Sequence, residues 1–226
     1  MGVVVVAAGA GTRLGADRPK AFVELAGVTL LERAVRGVLT AGIGHVAVVV
    51  PTDRVGETRE LLAPLASPPV DPTITVVAGG AERTDSVAAG LAALPAEVDT
   101  VLVHDAARCL TPAAVFHRVL AALAAGAKGA IPAVPVVDTI KVVDAAGRIT
   151  ATPARDTLRA VQTPQGFPRE VLEQAHAAGA AATDDAALVE ALGHAVLVVD
   201  GDHRSMKITT SDDLDRALRL LGSQPD

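Results

Sequence analysis

The chain has 226 residues, with Lys and Arg totalling 20 against 26 Asp and Glu, a formal net charge of -6 and a sequence pI near 5.5. Half of the residues are hydrophobic, yet the aromatics are limited to Phe22, Phe116 and Phe167, with no Trp or Tyr. This length buries a sizeable aliphatic core and suits one α/β domain with an elaboration, the acidic balance argues against non-specific binding of nucleic acid or acidic membranes, and the lack of aromatics nearly excludes base stacking.

Residues 3–6 form a short β-branched run, the pattern of a strand buried on both faces of a parallel sheet. Similar runs recur at 46–50, 74–77, 101–103, 130–134 and 196–199. Between them, Leu30, Leu31, Ala34, Val35, Val38 and Leu39 repeat at helical spacing, as do Val87, Leu91 and Leu94, and Val115, Val119, Leu120 and Leu123. This alternation predicts a doubly wound, mostly parallel Rossmann-like sheet, with ligands beyond the carboxyl ends of its strands. The pattern breaks near residue 136. Two extended pieces, 139–143 and 148–152, flank an Asp-Ala-Ala-Gly turn with no crossover helix, which predicts a β-hairpin arm within about 136–160. A two-stranded ribbon is only marginally stable alone, so the arm is expected to pack on the same arm of a second subunit. Helices are expected at 169–177 and 185–192, the second capped by Thr183 or Asp184, then a last strand and a final helix capped by Ser211.

Cys109 is the only cysteine, which excludes an internal disulfide and any Cys-rich metal site and suits a reducing compartment. No basic segment precedes the apolar start, a glycine-rich motif begins within the first ten residues, and no apolar run approaches the roughly 18 residues of a spanning helix. A soluble cytoplasmic protein is expected.

The strongest chemical signal follows the first strand: Ala7-Ala8-Gly9-Ala10-Gly11-Thr12-Arg13-Leu14-Gly15, then Arg18-Pro19-Lys20. Small residues let backbone N–H groups approach a phosphate chain, and Arg13 and Lys20 supply cations. A dinucleotide fingerprint fails because Leu14 stands where glycine is needed, and a P-loop fails for want of Gly-Lys-Ser/Thr. No nucleophile elbow or His-Glu-x-x-His motif occurs, and the six histidines lack metal-ligand spacing. His104 reads as a packed or orienting residue, Asp202 as a turn residue, Lys141 and Lys128 as surface charges.

The loop resembles the signature of nucleotidyltransferases that join a nucleoside monophosphate to a phosphorylated sugar or polyol. Further segments follow in order: Gly79-Gly80-Ala81-Glu82-Arg83-Thr84-Asp85-Ser86-Val87, Val103-His104-Asp105-Ala106-Ala107-Arg108, Asp138-Thr139-Ile140-Lys141, Gln162-Thr163-Pro164-Gln165-Gly166-Phe167, Thr183-Asp184-Asp185-Ala186 and Lys207-Ile208-Thr209. Together, across residues 3–221, they resemble the 2-C-methyl-D-erythritol 4-phosphate cytidylyltransferase family of the non-mevalonate isoprenoid pathway. That resemblance implies that CTP and the polyol phosphate give 4-diphosphocytidyl-2-C-methyl-D-erythritol and pyrophosphate. It implies catalytic roles for Arg13, Lys20 and Lys207, and nucleotide binding by Ala7, Ala8, Gly9, Gly11, Gly80, Ser86 and Asp105. Asp105, Arg108, Thr139, Arg155 and Thr163 would bind substrate, Asp105 would hold Mg2+, and a homodimer would form through the arm. Two departures stand out: members of the family often have Asp where Ala81 stands, and commonly Pro where Cys109 follows Arg108. Alternatives are a ribitol-5-phosphate cytidylyltransferase, a nicotinamide-dependent oxidoreductase and a non-catalytic nucleotide sensor.

Overall fold

The computed structural model describes residues 1–9, 18–66, 72–179 and 182–222. In chain order the elements are β1 (Gly2–Val6), β2 (Glu24–Leu25), β3 (Val28–Thr29), α1 (Leu30–Thr40), β4 (His45–Val50), α2 (Val55–Leu62), β5 (Thr73–Ala78), α3 (Arg83–Ala93), β6 (Thr100–Asp105), α4 (Ala113–Ala124) and β7 (Ala130–Pro135). They continue with β8 (Val142–Val143), β9 (Ile149–Ala151), β10 (Arg159–Val161), β11 (Gln165–Pro168), α5 (Arg169–Ala177), α6 (Asp185–Ala191), β12 (Leu197–Asp200) and α7 (Ser211–Gly222).

The expected α/β sheet is present. The strand β1 is central and pairs in parallel with β4 on one side and β6 on the other, while β5 extends the sheet beyond β4. Because the chain winds outward through β4 and β5 and then returns to the far side of β1, the strand order reverses at β1. A crevice opens at such a reversal, at the carboxyl ends of the strands. Side chains alternate across the sheet: Val3 and Val5 join the core layer that includes α1, α4 and Ala217 of α7, whereas Val4 joins the layer that includes α3, α5 and α6. Val3, Val4 and Val5 are all fully buried, as a strand covered on both faces requires.

One strand position was not visible as an apolar run. Residues 159–161 and 165–168, for which the sequence pattern predicts no strand, form β10 and β11, both antiparallel to β7, and β11 is also antiparallel to β6. The backbone N–H of Gln162 continues the ladder to the Pro132 carbonyl at 2.8 Å. Thus β10 and β11 act as one interrupted strand between β6 and β7, and β12 pairs in parallel on the other edge of β7. The final helix also differs in its cap: the Thr210 hydroxyl, not Ser211, accepts the Asp213 N–H at 3.2 Å, while Asp213 accepts the Thr210 N–H at 2.9 Å. Of the two candidates before α6, Asp184 is the cap, accepting the Ala187 N–H at 3.1 Å.

The arm is a hairpin as expected, but shorter. Strands β8 and β9 pair antiparallel with a register shift at Val142/Val143, around a turn in which Asp144 accepts N–H bonds from Ala146 and Arg148. Gly147 takes a φ of 77°, a left-handed conformation that favours glycine. Val137, Ile140, Val142, Val143 and Ile149 are exposed on this arm.

Close packing of α3 on the sheet depends on Gly90, where a Cβ would collide with Val4 and come within 2.8 Å of Val49. In an exposed helix Gly→Ala stabilises by about 1 kcal/mol. Here we expect Gly90→Ala to destabilise by about 1–3 kcal/mol through overpacking. Urea denaturation of the two proteins checks the sign.

Candidate active site

The carboxyl ends of β1, β5 and β6 deliver three pieces of backbone to one cleft, lined among others by Ala7, Ala8, Gly9, Lys20, Gly80, Arg83, Ser86, Asp105 and Lys207. Ala7 leaves β1 still tied to the sheet, its N–H donating to the Val49 carbonyl at 2.8 Å. Gly79 and Gly80 are required by space rather than by φ. A Cβ on Gly79 would lie 2.6 Å from Ala8 Cβ and 2.7 Å from Ser86 Oγ, and a Cβ on Gly80 would strike Asp85. Their bare backbone therefore forms the cleft wall at the start of α3. Ser86, in the first turn of that helix, is buried and donates its hydroxyl to the Glu82 carbonyl at 3.1 Å, which leaves its oxygen lone pairs as acceptors.

Asp105, the last residue of β6, is the electrostatic centre. Its Oδ2 lies 2.8 Å from Lys207 Nζ and 3.8 Å from Arg108 Nε, and its Oδ1 lies 3.9 Å from an Arg83 nitrogen. Burial alone would raise the pKa of this carboxyl. Lys207 foremost, then Arg83 and Arg108, overcome that effect and hold it below the usual carboxylate range. Asp105 is therefore ionised at neutral pH. Lys207 reaches it from the turn after β12, and Lys20 reaches the cleft from the short 3-10 turn that follows the glycine-rich loop.

Behind the cleft, the Asp105 N–H donates to Thr163 Oγ1 at 3.1 Å, and the same hydroxyl is 2.9 Å from His104 Nδ1. His104 is buried against Phe116, with ring centroids 5.1 Å apart. Burial lowers its pKa to about 4, so the imidazole is neutral at physiological pH. This is the packed, orienting histidine expected from the sequence.

The remaining site candidates fall elsewhere. Arg13 and Gly11 lie outside the described residues. Arg108 turns away from the cleft: its terminal nitrogens donate to the carbonyls of Ser205 at 2.8 Å and Val161 at 3.2 Å. Thr163 spends its hydroxyl inside the protein. Thr139 and Arg155 are exposed on the arm segment, and Arg155 donates to the Val137 carbonyl at 2.7 Å, beside a second hollow with Pro135, Val136, Asp156 and Arg159. Asp202 is a turn residue, accepting from the Arg204 N–H at 2.8 Å. Among the described residues no group of three or more His, Cys, Asp or Glu side chains could hold a metal, and no helix is long and apolar enough to cross a membrane.

Sequence reading missed Arg83. It lines the cleft, and its other guanidinium nitrogen is 2.8 Å from Asp185 Oδ2. The signal was the Gly-Gly-Ala-Glu-Arg-Thr-Asp-Ser segment of residues 79–86, in which Arg83 stands between the glycines and the Ser86 hydroxyl.

A cleft of bare backbone lined by Lys20, Arg83 and Lys207 together with Asp105, at the reversal point of a parallel sheet, has the chemistry that suits a polyphosphate chain; fold and site define the class of nucleotide-binding α/β proteins. The family profile described as 2-C-methyl-D-erythritol 4-phosphate cytidylyltransferase (IspD) matches residues 1–223, and the chain belongs to that family. It is accordingly a nucleotidyltransferase. A 2-C-methyl-D-erythritol 4-phosphate cytidylyltransferase of Rhodococcus jostii (strain RHA1) is 52% identical over 220 residues, covering 96% of this chain and 93% of that protein. Of solved structures, a 4-diphosphocytidyl-2C-methyl-D-erythritol synthase from Anaerococcus prevotii DSM 20548 matches with a TM-score of 0.84 at 28% identity, covering 98% of this chain and 97% of that one. A 2-C-methyl-D-erythritol 4-phosphate cytidylyltransferase from Thermus thermophilus matches with a TM-score of 0.76 at 35% identity, covering 96% and 97%.

Cys109 occupies the turn after Asp105 as a buried thiol, and burial pushes its pKa up to about 12 from an ordinary 9.0. At pH 8 its thiolate fraction is then on the order of a thousandfold below that of a free cysteine. Native protein should resist iodoacetamide at pH 8, while urea-unfolded protein should label fully, as intact mass will report.

Proposed function

We infer that the protein joins CTP to 2-C-methyl-D-erythritol 4-phosphate, giving 4-diphosphocytidyl-2-C-methyl-D-erythritol and pyrophosphate, as an enzyme of the cytoplasm. The observation that carries this reading is the convergence of Lys20, Lys207 and Asp105 with the backbone of Ala7–Gly9 and Gly80 in one cleft of a chain that belongs to the cytidylyltransferase family.

A phosphomonoester has a second pKa of about 6, so the attacking phosphate oxygen is already largely dianionic at neutral pH and needs no general base. The buried, neutral His104 is consistent with that economy. The site instead has to align two anions that repel each other and stabilise charge gathering at the α-phosphorus during in-line attack. We assign Arg13 and Lys20 to the transition state and the pyrophosphate leaving group, and Lys207 to the α-phosphate. Gly80 and Ser86 read the cytosine edge by hydrogen bonds, which suits a chain with almost no aromatic side chains. Ala7, Ala8, Gly9 and Gly11 hold the triphosphate by backbone groups.

The donor set fits Mg2+ carried on the substrate phosphates: Mg2+ is ordinarily held by one or two carboxylates plus phosphates, and Asp105 is one ionised carboxylate at the cleft. Bound there, the ion would neutralise phosphate charge. Thr139 and Arg155 bind the incoming phosphate. They stand on the arm rather than in the cleft of the same chain, and the arm's exposed Val142, Val143 and Ile149 call for cover. Both observations support a homodimer in which one subunit's arm serves its partner's cleft. Given their placement, Arg108 and Thr163 act from behind, bracing the Asp105 turn.

The decisive assay incubates the protein with Mg2+, each of the four nucleoside triphosphates, and either 2-C-methyl-D-erythritol 4-phosphate or ribitol 5-phosphate, following pyrophosphate and product mass. Product should require CTP and the methylerythritol phosphate; turnover of the ribitol phosphate instead would overturn the substrate assignment. Lys20→Ala should lower kcat by about 100-fold or more with little change in KM for CTP. Arg155→Ala should chiefly raise KM for the polyol phosphate, and steady-state kinetics with each substrate varied in turn separates the two effects.

A further inference from the structure

Asp185 begins α6 behind the cleft wall and is fully buried. Its Oδ1 is bonded to His176 Nε2 at 3.0 Å, from α5. Its Oδ2 receives no aligned hydrogen bond among the described residues, and its charge is met by Arg83 at 2.8 Å. The other end of the same guanidinium lies 3.9 Å from Asp105 Oδ1, while Asp105 Oδ2 holds Lys207 at 2.8 Å. His176, Asp185, Arg83, Asp105 and Lys207 thus form one line of alternating partners that starts between α5 and α6 and ends in the cleft.

A fully buried carboxylate is costly unless paired, and packing α5 on α6 requires none. What Asp185 does is geometric: a guanidinium clamped at one end can present its other end in one direction only. We propose that Asp185 is a positioning residue for the nucleotide site, acting through Arg83 to fix Asp105 and thereby the place of Lys207. The two oxygens of Asp105 are divided between two cations, one from α3 and one from the turn after β12. Releasing Arg83 frees the carboxylate to rotate and carry Lys207 with it. This inference rests on the CTP reading above.

The test is a double-mutant cycle of wild type, Asp185→Asn, Arg83→Ala and the double variant, read as kcat/KM for CTP, KM for the polyol phosphate and thermal midpoint. Asp185→Asn keeps the shape and an acceptor for His176 but removes the charge that holds Arg83. We expect it to lower kcat/KM for CTP by about 10-fold or more, with KM for the polyol phosphate unchanged. In the Arg83→Ala background the same substitution should change kcat/KM by less than about twofold. Stability should run the opposite way. Arg83→Ala leaves a buried carboxylate with His176 but without its guanidinium and lowers the midpoint, and adding Asp185→Asn should recover part of that loss.

An Asp185→Asn protein of lowered midpoint but unchanged kcat/KM would overturn the proposal in favour of simple support of α6. So would losses that multiply in the double variant. If Arg83→Ala does not fold, Arg83→Lys, which keeps one charge without the fork, takes its place with the same expected lack of additivity. Wild-type turnover without coupling overturns this inference alone, whereas wild type inactive with CTP overturns the reading beneath it and this with it.

Discussion

A carboxylate at the end of a buried strand has to be neutralised, and the way Asp105 is neutralised organises the site. Lys207 comes from the turn after β12, Arg83 from α3 and Arg108 from the turn directly after β6, so one charge draws two distant stretches of chain to the end of its own strand. Arg108 is in turn pinned to the carbonyls of Ser205 and Val161, which fixes the turn carrying Lys207 against β10. The backbone beneath is held as well, since the Thr163 hydroxyl accepts from the Asp105 N–H and meets His104. A surface ion pair contributes little, but Asp105 and Arg108 are largely screened from water even though Lys207 is exposed and Arg83 partly so, and stripping cations from the buried Asp105 leaves a charge the interior tolerates badly.

That arrangement reconciles an acidic protein with a polyanionic substrate. A net charge of -6 belongs to the whole surface, and beyond about 10 Å it is largely screened by salt. In the proposed site, what a phosphate chain would meet in the cleft is the local set of Lys20, Lys207 and Arg83. Asp105 keeps Lys207 and Arg83 in place before any ligand arrives. A free lysine side chain loses up to about 2 kcal/mol of rotamer freedom on being fixed, and for Lys207 that cost is met in folding rather than in binding.

The parts of the structure legible in the sequence are those where one residue type answers to one local demand. Runs such as Val3–Val6 announce strands buried on both faces, and Asp105 and Lys207 were recognisable from motifs that follow such runs. The interrupted strand of β10 and β11 was not legible because nothing in Gln162–Phe167 favours a strand locally. Its place is set by neighbours: a Cβ at Gly166 would come within 2.9 Å of Leu102 and Leu123, so glycine there reflects tight packing between β6 and α4. Arg83 and Asp185 were invisible as a pair for the same reason. Their relation exists only once α3 and α6 have been brought to the same side of the sheet.

The arm carries this logic to its limit. Its strands are two and three residues long, and its apolar side chains face solvent, so unlike the sheet it cannot be explained by burial within one chain. Its Arg155 is equally unexplained there, because the cleft and the hollow beside Arg155 have no lining residue in common. A reaction between two phosphates needs each anion gripped by a separate set of cations, lest one site bind either substrate in either place. On the proposed reading, cleft and arm divide the cations in that way: the nucleotide side stands at the carboxyl edge of the sheet and the polyol side on the exposed arm. In a homodimer built through the arm, assembly and substrate alignment would then be a single requirement.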